Sequence, residues 1–244
     1  AAADDLELDR LARALLAVAP RLMPGISEGA DAVISIRERG GSIVRLMASA
    51  TATHGLLALT LPEFCRRFPG IQIHLREAEG EDQLMAIARS EVDLVVCRRP
   101  AVVPEGWIFH SIREDRFVIV CRAAHTLAGR QSARWAELSR ETWIVLPSGL
   151  GARASFDSLS RHFKSPPRTY PLVTQSLSLI LGLLRGEDLL AVLPFNLVRP
   201  QLEAGELIEL RMRTKMPMHP IGVLLPQTEV GEAARHLEVY LRSL

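Results

Sequence analysis

Between Ser42 and Arg98 the hydrophobic pattern switches period four times. Ile43, Val44, Leu46 and Met47 form a short apolar run that stops at the hydroxyl-rich turn Ser49-Ala50-Thr51-Ala52-Thr53. Leu56, Leu57, Leu59, Leu61, Phe64 and Phe68 then recur at roughly helical spacing. Pro69-Gly70 closes that helix, because proline has no N–H to donate and glycine takes the left-handed cap conformation cheaply. Ile71, Ile73 and Leu75 alternate with polar residues as a strand does; Leu84, Met85, Ile87 and Ala88 carry a second helix, and Val92 to Cys97 a short buried strand. One local conflict is Pro62, inside the apolar helical pattern. Thr60 and Glu63 have the spacing of a capping box, which starts the helix near Leu61 with Pro62 in its first turn; a longer, kinked helix is the alternative.

The texture repeats further along. Trp107–Ile112 and Phe117–Arg122 read as a pair of strands around Arg113-Glu114-Asp115-Arg116. Trp135–Leu138 is a short helix, Trp143–Leu146 a buried strand, and Ala152–Phe163 a helix after the turn Pro147-Ser148-Gly149-Leu150-Gly151. Tyr170–Val173, Leu189–Leu193, Leu207–Leu210 and Ile221–Leu225 read as strands, with helices over Gln175–Leu184, Phe195–Leu202 and Glu232–Leu241. Strands alternating with helices predict an α/β protein of parallel βαβ units, with ligands bound beyond the strand C-termini. Two successive units of about 100 residues each suggest a cleft between them. Residues 1–41 stand apart: Leu8, Leu11, Leu15, Leu16 and Ala19 form an amphipathic face, and Arg37-Glu38-Arg39-Gly40-Gly41 is a flexible joint. This segment reads as a connector or dimerisation helix, with a helix lying on the domain as the alternative.

Composition narrows the classes. The 244 residues carry a net charge of +1, so no overall field draws in a polyanion or a membrane surface. No apolar run approaches the ~20 residues of a membrane span. Asp4, Asp5, Glu7 and Asp9 are acidic where a secretion signal starts basic, so a cytoplasmic protein is expected. Cys65, Cys97 and Cys121 lie in apolar contexts without CxxC spacing, as buried free thiols of a reducing compartment do.

Gly149 to Ala154 fits GxGxxA between a strand and a helix, but no acid ends the strand about 20 residues later, where a dinucleotide ribose needs one. No cofactor is therefore expected. The seven histidines show no HExxH or HxH and none pairs with a cysteine at ligand spacing, so no metal site is expected. Ser148 lacks the GxSxG elbow of a serine hydrolase, and no catalytic residue stands out. Glu77, Glu79, Glu81 and Asp82 read as acids favoured by a helix dipole. What remains is three strand-to-helix turns rich in small donors: Ser49–Thr53, Ser148–Gly151 and Thr174–Ser176. Hydroxyls and exposed N–H groups at helix N-termini suit a carboxylate or similar small anion.

Several segments carry a family resemblance. Leu56-Leu57 opens a helix ending Phe68-Pro69-Gly70; Glu91-Val92-Asp93-Leu94-Val95-Val96 follows; Phe117-Val118-Ile119-Val120 precedes His125-Thr126-Leu127-Ala128; and Leu183 to Pro194 runs helix, glycine, strand, proline. In this order and spacing the chain resembles the effector-binding (regulatory) domain of LysR-type transcriptional regulators, without its DNA-binding domain. Ala58, Pro62 and Glu187-Asp188 depart from the family pattern. The resemblance implies two Rossmann-like subdomains hinged by two crossing strands, Phe117–Cys121 and Ile221–Leu225, as in type 2 periplasmic solute-binding proteins. The implied division is a linker helix region over 1–41, subdomain I over 42–122 and 223–244, and subdomain II over 123–222. It also implies a small organic anion in the cleft, contacting Ser49, Thr51, Thr53, Gly80, Arg98, Ser148, Gly149, Leu150, Gln175 and Ser176. The partners implied are that effector, a second copy in a homodimer or tetramer, and DNA reached only through a helix-turn-helix domain not recognisable in these residues. A solute-binding protein of a transport system and an enzyme on the same scaffold are the rival readings.

Overall fold

The computed structural model describes residues 42–130, 132–212 and 216–244. The linker helix expected over 1–41 lies outside the described residues. Among the described residues ten strands form two five-stranded mixed sheets of the same plan. The first contains β1 (Ser42–Ala48), β2 (Ile71–Glu77), β3 (Leu94–Arg98), β4 (Trp107–Arg113) and β10 (Ile221–Pro226), in the order β2-β1-β3-β10-β4. The second contains β5 (Phe117–Arg122), β6 (Thr142–Val145), β7 (Arg168–Val173), β8 (Leu189–Pro194) and β9 (Leu207–Leu210), in the order β7-β6-β8-β5-β9. In each, three parallel strands are followed by an antiparallel one, β10 or β5. Those two strands arrive from the other half of the chain, so the polypeptide crosses twice.

Trp107–Ile112 and Phe117–Arg122 therefore do not pair with each other. Glu114–Arg116 carries the chain from one sheet to the other, and β5 hydrogen-bonds with β8 and β9. β5, grouped by the sequence with 42–122, thus lies in the second sheet, while Ile221 and Gly222 lie in the first.

The first helical run settles the conflict at Pro62. It begins at Ser49, with α1 (Ala50–Ala52), passes through a π-helical turn (Thr53–Leu57), and continues as α2 (Ala58–Arg67) with Pro62 inside. The capping box does not form: Thr60 Oγ1 donates to the Leu56 carbonyl one turn back, at 3.0 Å. The other helices are α3 (Glu81–Ala88), α4 (Trp135–Leu138), α5 (Gly151–Ser160), α6 (Leu177–Gly186), α7 (Phe195–Glu203) and α8 (Glu232–Arg242).

Each sheet is packed on both faces. In the first lobe Leu46, Leu56, Phe64, Leu94 and Val223 form one core with Leu237 and Leu241 of α8. Tyr240 tips its hydroxyl onto the Thr60 carbonyl, which fixes α8 against α2. In the second lobe Trp143 is fully buried and its indole N–H donates to the Leu138 carbonyl at 3.1 Å, so the largest core side chain leaves no orphan donor. Cys97 and Cys121 are buried as expected, and burial pushes both thiols up to about 12. Cys65 is exposed instead, on the outer side of α2.

The lobes meet at the first crossing. Asp115, its side chain fully buried, accepts from Arg98 Nη2 at 2.9 Å, from the Arg116 amide at 2.9 Å and from the Asn196 amide at 3.1 Å. It thus ties the end of β3 to the N-terminus of α7 in the other lobe. Asn196 returns a bond from Nδ2 to the Glu114 carbonyl. Beside it the π-turn packs directly on α7: a Cβ on Gly55 would lie 2.3 Å from the Asn196 carbonyl oxygen, so only glycine admits this approach. Removing one member of a buried ion pair strands the other, at a cost of about 3–5 kcal/mol, and the partial exposure of Arg98 places this pair near the lower end. Asp115→Ala is expected to cost about 3 kcal/mol in urea unfolding; a loss under about 0.5 kcal/mol, the scale of an ordinary surface substitution, would contradict the role assigned to it.

Candidate functional site

Three strand-to-helix turns come from different parts of the chain: β1 into α1, β6 into α5, and β7 into α6. Ala50, Leu150 and Leu177, each at the entry to one of these helices, pack against the same core cluster of the second lobe. The turn from the first lobe thus packs on the second lobe.

The hydroxyls are used unequally. Ser49 is buried and caps its own helix, its Oγ accepting from the Ala52 amide at 3.2 Å. Thr53 Oγ1 donates back to the Ser49 carbonyl at 3.0 Å, and Thr51 is buried. Ser148, Gly149, Gln175 and Ser176 are exposed, while Leu150 is half-buried. Ser176 receives no side-chain cap duty; its amide donates to Thr174 Oγ1 at 3.1 Å. Gly149, at φ +91°, turns the chain into α5. Gly80, exposed and at φ +54°, does the same for α3.

Arg98 is half-buried and already engaged. Besides Asp115 it donates from Nη1 to the His219 carbonyl at 2.7 Å, in the second crossing segment. Only its remaining N–H groups can face a ligand. The amide of Ala50, which helix geometry leaves without a partner, is met by Glu79 Oε1 at 3.1 Å. Burial pushes the Glu79 carboxyl up; the Ala50 bond and the Arg98 guanidinium oppose the shift, and Glu77 adds to it. Glu81 and Asp82 do sit in the first turn of α3, as the acid cluster suggested, but Glu79 serves the neighbouring helix.

Asp115 and Asn196 were not among the residues singled out from sequence, and Glu79 was singled out only as an acid of the α3 helix start. Asp115 carries one usable signal, an acid between two apolar strands that lack turn residues to pair them. Asn196 and Glu79 carry none, because their partners lie 81 and 29 positions away.

The three turns offer hydroxyls and amides, Arg98 a partly shared guanidinium, and Glu79 a carboxylate already bonded to the Ala50 amide. Among the described residues no group of three or more His, Cys, Asp or Glu could hold a metal ion. A separate apolar cavity of 390 Å³ lies between α4, α5 and the second crossing, lined by Phe117, Trp135, Leu159, His162, Met212 and Met216; it contains none of the residues expected to bind the effector.

Two matched α/β lobes crossed by two strands define a two-lobed domain of periplasmic-binding-protein-like fold. Comparison with known proteins supplies the family. The model of the LysR substrate binding domain matches residues 37–243, and the chain belongs to that family. It is similar to the HTH-type transcriptional activator IlvY of Haemophilus influenzae, 28% identical over 85 residues, which is 35% of this chain and 29% of that protein. It is also similar to the HTH-type transcriptional regulator TtuA of Agrobacterium vitis, 25% identical over 130 residues, 53% of this chain and 42% of that one. The chain thus spans less than half the length of these curated relatives. Among solved structures, the regulatory domain of CcmR from Synechocystis, in complex with 2-PG, superimposes with a TM-score of 0.67 at 22% identity, covering 83% of this chain and 96% of that one. That likeness is one of fold.

Removing the Ser49 hydroxyl is expected to cost about 1 kcal/mol through loss of the helix cap. Thermal or urea unfolding of Ser49→Ala checks this, and Ser148→Ala, whose exposed side chain caps nothing, is expected to be neutral.

Proposed function

We propose that this chain is the ligand-sensing part of a LysR-type DNA-binding transcriptional regulator. A small, carboxylate-bearing metabolite enters between the lobes and changes their relative orientation. What supports this reading is that Ala50, Leu150 and Leu177, beside three donor-rich turns drawn from both lobes, pack against one core cluster. Thr51, Ser148 and Ser176 lie on those turns as neutral donors, and the open N–H groups of Arg98 add a charge-assisted one. Ser49 and Thr53 contribute by holding the turn in shape. By linkage, the effector acts only through unequal affinity for the two arrangements of the lobes. On this reading the protein is not an enzyme, acts in the cytoplasm, and meets DNA through a helix-turn-helix domain of the parent protein. No helix among the described residues is long and apolar enough to cross a membrane.

A second copy of the chain is the expected partner. Leu59 of α2 and Leu75 of β2 are exposed on the outer edge of the first lobe, and Val173 of β7 and Leu179 of α6 on the outer edge of the second. β2 and β7 are the end strands of their sheets among the described residues, each with exposed apolar side chains nearby, which suits antiparallel pairing of two chains.

Two measurements test the proposal. A metabolite present at 100 times its Kd is expected to stabilise the chain by about 2.7 kcal/mol in a thermal-shift panel, with Thr51→Ala weakening the response. Failure of every small organic anion to shift the transition would refute it. The double substitution L75E/V173E is expected to convert a dimer to a monomer in light scattering, with the melting transition retained.

A further inference from the structure

The Ala50 amide opens the helical run at the end of β1 and donates to Glu79 Oε1 at 3.1 Å. Glu79 reaches it because its loop is held on both sides. The Ala78 amide donates to the Ala48 carbonyl at 3.0 Å, and Gln83 Nε2 donates to the Ala78 carbonyl at 2.7 Å. Gly80, at φ +54° and ψ −117°, then turns the chain away into α3. The carboxylate therefore sits where the proposed effector's anionic group would sit, although it belongs to the protein.

We infer that Glu79 is a specificity-determining residue of the effector site: an internal carboxylate that holds the Ala50 amide in the empty state and that an anionic effector has to displace. The inference rests on the reading of Ser49–Thr53 as part of that site. Its physical basis is a competition between two anions for one donor. Arg98 cannot neutralise both, since it is already bonded to Asp115 and to the His219 carbonyl.

The surroundings fix the sign of the pH dependence. Glu77, at the end of β2, faces Glu79 as a like charge, and Arg98, at the end of β3, as an opposite one. The Cys97 thiol also faces it and, held up to about 12, remains neutral. His54 lies 4.0 Å from Glu77. Burial raises the Glu79 carboxyl above its ordinary range. As pH falls through that raised range Glu79 takes up its proton, becomes a poorer acceptor, and releases the amide. Anion binding at Ala50 thus strengthens as pH falls and weakens as pH rises.

The test is an amide-resolved NMR titration of the ¹⁵N-labelled chain and of Glu79→Gln. The probe is methanesulfonate, an anion that stays charged throughout the titration of a carboxyl. The Ala50 amide signal is expected to move with pH in the unsubstituted chain and to stay still in Glu79→Gln. At neutral pH the variant is expected to bind methanesulfonate about fivefold more tightly, the ratio that corresponds to an exposed ionic contact. That difference should vanish in acid. Equal affinity of the two proteins at neutral pH, or an Ala50 signal that ignores pH in the unsubstituted chain, would overturn the inference. Should the probe bind as described while no metabolite shifts the melting of either protein, the competition at Ala50 stands and the effector reading falls.

Discussion

One carboxylate, that of Asp115, joins the two halves of this molecule. It lies in the three-residue passage between β4 and β5, fully buried, and its two oxygens meet a guanidinium from the first lobe and two amides, one of them at the start of α7 in the second. A charge placed so deep is tolerable only when every oxygen has a donor, and the donors here come from elements that the sheets alone would leave unconnected. Arg98 extends the same set of bonds to the second crossing through the His219 carbonyl. Both passages between the lobes are therefore tied to a single ion pair.

The residues of the candidate site divide according to whether they shape the turn or face outward. Ser49 and Thr53 satisfy backbone groups of their own helix, which is what short hydroxyl side chains do at N-termini whether or not a ligand is present. Ser148, Gln175 and Ser176 are exposed at turns of the opposite lobe. The first-lobe turn is thus internally bonded, and the two turns of the second lobe are more open. A ligand that bridged them would gain most from the side with donors still free.

Much of the fold is legible in the sequence. The βαβ alternation of the first 57 described positions, the buried strand at Trp143, and the terminal helix all follow from hydrophobic period, and the family resemblance supplies the crossing strands that period alone does not show. The misreadings have physical reasons. Thr60 and Glu63 have capping-box spacing, but the chain was already helical from Ala50, so no free amides remained there to cap. Trp107–Ile112 and Phe117–Arg122 read as a pair because adjacent strands commonly pair; nothing local tells that Asp115 finds its partners in Arg98 and Asn196. Cys65 lies within an apolar pattern, yet the helical period places it on the outer face. Glu79 illustrates the general limit: a run of acids before a helix has the same appearance whether each serves its own helix or a neighbour's.

The contact between Gly55 and Asn196 has a mechanical consequence. Two backbones touching without intervening side chains make a fulcrum, and the strand orders β2-β1-β3-β10-β4 and β7-β6-β8-β5-β9 place that fulcrum beside the crossing strands. β2 and β7 lie at the opposite ends of the two levers. A rotation too slight to disturb the buried core near the pivot is therefore magnified at those outer strands, where a neighbouring molecule would feel it first.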